Sequence, residues 1–168
     1  MNKKILFIMS RLTTIGLKQE QSKELATDLN KLLSNFEVYY QNLRSVHWNI
    51  KGENFFALHD KFEEMYTEVQ VQIDDIAERI LTLGETPLHT FQDYLDNSNV
   101  KVAKGVEKDT ECVKVILDSM KEILIIEREI LEKSGEMNDE GTNAMVSDFI
   151  SSQEKTAWML NSFLDRAI

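Results

Sequence analysis

The sequence predicts an all-α protein: a bundle of four long helices with one long crossover between the second and the third. Apolar residues recur at steps of three and four through four long stretches, the period of a helix with one buried face. Six Gly and a single Pro in 168 residues leave little material for the turns of a many-stranded sheet. The break at residues 88–100 is too long for a tight link between antiparallel neighbours and suits a chain crossing the bundle.

Residues 1–17 read as an N-terminal arm ahead of one domain at 18–168, a size that supports a sizeable core. Lys3, Lys4, Arg11 and Lys18 make this beginning sparsely basic. Helix one is expected from about Lys18 to Val46, with Leu25, Leu29, Leu32, Phe36, Tyr39, Leu43 and Val46 as its stripe. Gly52 breaks the pattern, and Asn54 is the expected N-cap of helix two, about 54–84. There Phe55, Leu58, Phe62, Met65, Val69, Ile73, Ile76, Ile80 and Leu83 keep the spacing. Gly84 ends it and Pro87 prevents its continuation. A short helix is expected within the crossover, from Phe91 to Leu95. Helix three, about 102–134, uses Val106, Val113, Ile116, Met120, Ile123, Glu127 and Ile130, and Gly135 closes it. Helix four, about 139–166, begins with Asp139 and Glu140, acids favourable beside a helix N-terminus, and is expected to bury Met145, Phe149, Met159, Leu160 and Phe163.

The net charge is −10, from 29 acidic and 19 basic residues. An acidic surface repels nucleic acid and anionic membrane and attracts cations. The one cysteine, Cys112, forms no internal disulfide and reads as a buried thiol. The opening Met1 to Met9 imitates a signal peptide, but its apolar run of five residues is too short. No run reaches membrane-spanning length, so the expected location is the cytoplasm, without membrane association.

Residues 47–78 carry the chemistry. They hold two of the three histidines, and two i, i+4 pairs: His59 with Glu63, and Asp74 with Glu78. Residues four apart share one helix face. His47 lies just upstream of the first pair; His89, alone in the crossover, reads as structural or solvent-exposed. Both His59 to Asp74 and Glu63 to Glu78 are fifteen residues apart, about 22 Å along a helix. One ion cannot be bound by both pairs of one rigid helix. If all four share a site, the second pair must come from another copy, two helices running antiparallel about a two-fold axis. Histidine nitrogen and carboxylate oxygen without sulfur suit Fe(II), and Mn or Zn less selectively. The Glu-x-x-His motif of di-iron centres held within one bundle does not occur.

His47-Trp48-x-Ile50-x-Gly52, Leu58-His59 and Glu63 resemble the first signature of the Dps proteins, ferritin-like DNA-protecting proteins of starved cells. Ile73-Asp74-x-Ile76-Ala77-Glu78-Arg79, Leu83-Gly84 and Pro87 resemble the second. The resemblance implies a ferritin-like bundle and a shell of twelve subunits. It implies a ferroxidase centre at each two-fold interface, with His47, His59 and Glu63 from one subunit and Asp74 and Glu78 from its partner. Glu63 stands where many relatives carry Asp. Fe(II) would be oxidised, preferably by hydrogen peroxide, and stored as ferric mineral. Trp48 would serve as an electron sink or simply pack near the centre. Asp139 and Asp148 match acidic pore residues near the start of the last helix, with Ala144 where some relatives have a further acid. The alternative is a DNA-compacting protein with ferroxidase activity secondary. The sparse basic arm and the acidic charge imply weak or absent DNA binding.

Overall fold

The structure is a computed structural model and describes residues 11–165. Lys3 and Lys4 of the expected arm lie outside the described residues. Five helices follow in order: α1 (Gln19–Asn49), α2 (Phe55–Thr82), α3 (Phe91–Asn97), α4 (Asp109–Glu136) and α5 (Glu140–Phe163). Four are long and α3 is the short helix expected in the crossover.

The core follows the sequence stripes. Leu29, Leu32, Phe36 and Leu43 of α1 meet Phe62, Ile76 and Ile80 of α2 and Ile116, Ile123 and Ile130 of α4, all with at most 1% of their surface exposed. Each such side chain contributes roughly 1.5–3 kcal/mol relative to an exposed one. Helix α1 is the hub, packing on α2, α3 and α4, while α5 packs on α4. The Phe36 and Phe149 rings, 6.0 Å apart, tie α1 to α5 as well. Cys112 is fully buried, and burial pushes its thiol up to about 11.

The crossover is clipped to α1 by three asparagines. Asn30 accepts from the Leu88 backbone N–H and donates to the Thr86 carbonyl. Asn35 Oδ1 accepts from the backbone N–H groups of Asn99 and Val100. Asn42 donates to the Lys101 carbonyl at 2.8 Å and accepts from Ala103 N–H at 2.8 Å. Backbone groups that a sheet would pair are thus satisfied by side chains. The clip carries the chain along the length of α1, so that α4 starts beside the α1–α2 link, where Lys51 and Lys108 form an isolated bridge.

Several local expectations change. Helix α4 begins at Asp109, not near 102. Residues 101–103 are held by Asn42, Gly105 adopts φ +72, and Lys51 N–H is bonded to the Glu107 carbonyl, so Val106 packs from a loop. Helix α2 ends as expected: Gly84, at φ +91, donates to the Leu81 carbonyl, and Glu85 N–H reaches Ile80. Helix α4 closes on Asn138 at φ +56 by the same pattern, and Gly135 stays inside the helix. Asn54 holds the N-cap position of α2, but its side chain donates to Asp109 Oδ2 at 2.7 Å, tying the starts of α2 and α4. On α5 the buried face runs through Val146, Phe149, Ile150, Gln153 and Leu160. Met159 and Phe163 sit at its edge, each 38% exposed rather than buried.

Candidate metal centre

His47 lies in the last turn of α1, and His59 and Glu63 lie in the first turns of α2. The link 50–54 folds these turns together: Ile50 is buried, and Gly52 makes the bend at φ +121. One ligand atom each of His47, His59 and Glu63 lie within 4.8 Å of one another. Among the described residues this is the cluster of three metal-ligating side chains.

Each histidine is oriented by the other's backbone. His47 Nδ1–H donates to the His59 carbonyl at 2.8 Å, and His59 Nδ1–H donates to the His47 carbonyl at 2.9 Å. A carbonyl only accepts, so both rings carry a proton on Nδ1, which makes Nε2 the nitrogen available to bind a metal. The rings stack at 3.9 Å and 18°. Phe55 stacks on the outer face of His59 at 5.0 Å, and Tyr66 meets His47 edge-on at 5.3 Å. Neither imidazole can turn without losing both a hydrogen bond and a stacking contact. His47 is buried, His59 half-buried and Glu63 exposed, so the cluster opens to the surface through its carboxylate.

Asp74 and Glu78 do not join this cluster within the protomer. Helix α2 is uninterrupted, which places them about 22 Å farther along it; both are exposed. Trp48 is 57% exposed, with the Arg44 guanidinium 4.7 Å from its ring centroid. Asp148 is exposed on α5, as is Ala144. Asp139 is 3% exposed and committed elsewhere. It caps α5, accepting from Thr142 N–H at 3.1 Å and from the Thr142 hydroxyl at 2.7 Å, and it pairs with Arg79. Burial pushes the Asp139 carboxyl up, but the Arg79 and Thr142 hydrogen bonds outweigh it and hold it below its ordinary value. Arg79 also donates to Thr142 Oγ1. A Cβ at Gly141 would lie 2.8 Å from the guanidinium and would push it aside.

Two groups carry chemistry that spacing alone misses. Tyr66 faces both His47 and Glu63. Its phenol is raised first by burial and then by the nearby Glu63 carboxylate. Glu127 is fully buried in α4, with Gln153 Nε2 donating to its Oε1 at 2.8 Å. Its Oε2 and Gln153 Oε1 have no partner. Burial pushes Glu127 up to about 8, against the opposing pulls of Gln153 and Arg128.

The family model of the ferritin-like domain matches residues 26–167. An uncharacterised protein of Haemophilus influenzae is 49% identical over 150 residues, 89% of this chain and 94% of that one. The DNA protection during starvation protein of Porphyromonas gingivalis is 40% identical across 90% of this chain and 96% of its own. The crystal structure of a Dps protein from Vibrio cholerae is described as a member of a broad superfamily of ferritin-like diiron-carboxylate proteins. It matches with a TM-score of 0.89 and 46% identity, covering 91% of this chain and 96% of that one.

Proposed function

The chain belongs to the Dps proteins of the ferritin-like family, and from that premise we propose that it is a peroxide-consuming ferroxidase and iron store with its centres shared between subunits. The observation that carries this reading is the His47–His59–Glu63 cluster, which has both Nδ1 atoms tied to backbone carbonyls, leaving Nε2 as the ligand nitrogen, and is open on its carboxylate side. Three donors leave an ion short of ligands, and a position must stay open for the oxidant. Asp74 and Glu78 of a second copy, brought in antiparallel about a two-fold axis, would complete the set. By family membership the closed assembly is a shell of twelve.

Fe(II) is the substrate. Two Fe(II) give one electron each to one hydrogen peroxide, and with two protons the O–O bond breaks to two waters, without free hydroxyl radical. The chain's residues hold and orient; none forms a covalent intermediate. His47 and His59 supply neutral nitrogen, and the carboxylates offset the charge that grows as iron passes from two to three positive charges. Ferric product hydrolyses and collects as mineral inside the shell. Asp148, exposed near the start of α5, is the candidate pore acid for iron entry; Asp139 is engaged in capping and the Arg79 pair.

Protection of DNA would follow from removing iron and peroxide rather than from coating the duplex, because a net charge of −10 per chain opposes phosphate binding. A gel shift that survives about 150 mM salt would favour the DNA-compacting alternative. The decisive experiment is anaerobic Fe(II) titration followed by peroxide, on wild type and on the His47→Ala/His59→Ala double variant. Rapid oxidation is expected to disappear while the assembly persists by size exclusion. Undiminished oxidation would place the chemistry elsewhere.

A further inference from the structure

Helix α2 exposes three large apolar side chains: Phe56 at 79%, Val71 at 60% and Leu81 at 58%. Single exposed apolar residues are ordinary, so their positions carry the meaning. Phe56 stands in the first turn of α2 and Leu81 in the last, about 37 Å apart along the axis. The point midway between them falls between Glu68 and Val69. The same point is midway between His59 and Glu78, and again between Glu63 and Asp74. At about 100° per residue, Phe56, Glu63, Asp74 and Leu81 also fall within about 20° of one another around the helix. One seam of α2 therefore carries acids along its middle and an apolar residue at each end, nested about a single centre.

A two-fold axis through that centre sets α2 antiparallel to its copy. Glu63 then faces Asp74 of the second copy, His59 faces Glu78, and Phe56 faces Leu81. The middle of this contact brings carboxylates together, and like charges oppose it until a cation arrives. The ends have no such charge to overcome. Phe56 against Leu81 removes apolar surface from water, and symmetry makes the contact twice. The end is also coupled to a ligand. Phe56 meets Phe55 edge-on at 5.2 Å, and Phe55 stacks on His59 at 5.0 Å. A side chain pressed onto Phe56 braces the stack that holds this imidazole.

We propose that Phe56 and Leu81 form an apolar clasp between two copies of this chain and set the register in which the shared centres close. The proposal rests on the shared-centre reading above. The clasp holds the pair of helices before iron is present, while the acids of the seam repel one another. A slip of one helical turn parts Phe56 from Leu81 at both ends and moves Glu63 away from Asp74. Phe56 and Leu81 are positioning residues, since neither carries an atom that binds iron.

Cysteine pairs in the assembled, iron-free protein test the register. Residues 56 and 81 of one chain are too far apart for a disulfide, so any bond between them in Phe56→Cys/Leu81→Cys joins two chains. Cys112 is buried and common to every variant. Mild oxidation should convert Phe56→Cys/Leu81→Cys into a covalent dimer on a non-reducing denaturing gel. Each single variant should stay monomeric there. So should Phe56→Cys/Asp75→Cys, whose second thiol stands about 9 Å along the helix from the required place. Phe56→Ala and Leu81→Ala, with helical content unchanged, should each raise the concentration below which monomers appear by about ten-fold or more. A folded Phe56→Cys/Leu81→Cys protein that links no better than the Asp75 pair overturns the clasp, as do alanine variants that dissociate at the wild-type concentration. Iron oxidation by wild type then leaves the ferroxidase reading standing. Efficient linking alongside a wild type that oxidises no iron keeps the clasp and removes that reading instead.

Discussion

Two polar clusters in this bundle are built from similar groups and have opposite fates. At the junction of α1 and α2, His47, His59 and Glu63 present unpaired acceptor atoms at a surface that ions can reach. In the core between α4 and α5, Glu127 and Gln153 also present unpaired acceptor oxygens, but both atoms are buried away from the surface. The cavity beside Gln153 measures about 20 Å³, room for one water at most. The first cluster can lower its energy by binding a cation. The second does so by holding a proton. Access, more than composition, decides which cluster could hold a metal ion.

The comparison can be broken most severely at the open cluster. His59→Ala removes a ligand nitrogen and the Nδ1 donor that meets the His47 carbonyl. Loss of such oriented groups weakens metal binding by at least about 10–100-fold, which anaerobic Fe(II) titration would read. Next in size, Asp139→Ala leaves Arg79 without its carboxylate partner and α5 without its cap. Breaking a buried pair costs about 3–5 kcal/mol, measurable by urea denaturation, and iron binding at the distant His59 should persist.

The sealed cluster predicts a pH dependence. Folding raises Glu127 from 4.5 to about 8. The folded chain therefore holds a proton that the unfolded chain has released across that window. Stability is unaffected below about pH 4.5, falls by about 1.4 kcal/mol per pH unit between the two values, and levels off above about 8. Glu127→Gln should flatten this slope and raise the melting temperature at pH 8 more than at pH 6, since an amide donor could face Gln153 Oε1. A steeper slope in the variant would contradict a neutral Glu127. The smallest effect concerns the scaffold: Asn42→Ala strands the Lys101 carbonyl and Ala103 N–H. The expected loss is about 1–3 kcal/mol, with faster amide exchange confined to the crossover.

Much of the fold is legible because burial repeats with the helix. The stripes of α1, α2 and α4 are visible as spacing, and so is the pairing of His59 with Glu63. Spacing misleads where it runs past its cause. Val102 and Val106 continue the rhythm of α4 backwards through Gly105, although the chain there is clipped to Asn42. Met159 and Phe163 share the rhythm of α5 but sit off its buried face. Asn30, Asn35 and Asn42 contact backbone far away in the sequence, and such bonds leave no periodic trace. Glu127 falls in the stripe of α4 and is buried as the spacing requires; its charge state follows from packing alone. Tyr66, next to Met65, looks like an ordinary seam residue until the fold sets it against His47.

The unbroken run of α2 from Phe55 to Thr82 has one more consequence. Under the shared-centre reading this rod is a gauge block: the span from His59 to Asp74 fixes where two neighbouring copies must meet. Deleting one residue between them would swing one ligand pair by about 100° around the axis. Symmetry would copy the error into both centres of every pair of subunits. Point substitutions at the exposed positions of that span other than Glu63 should be tolerated, whereas changes of length should not.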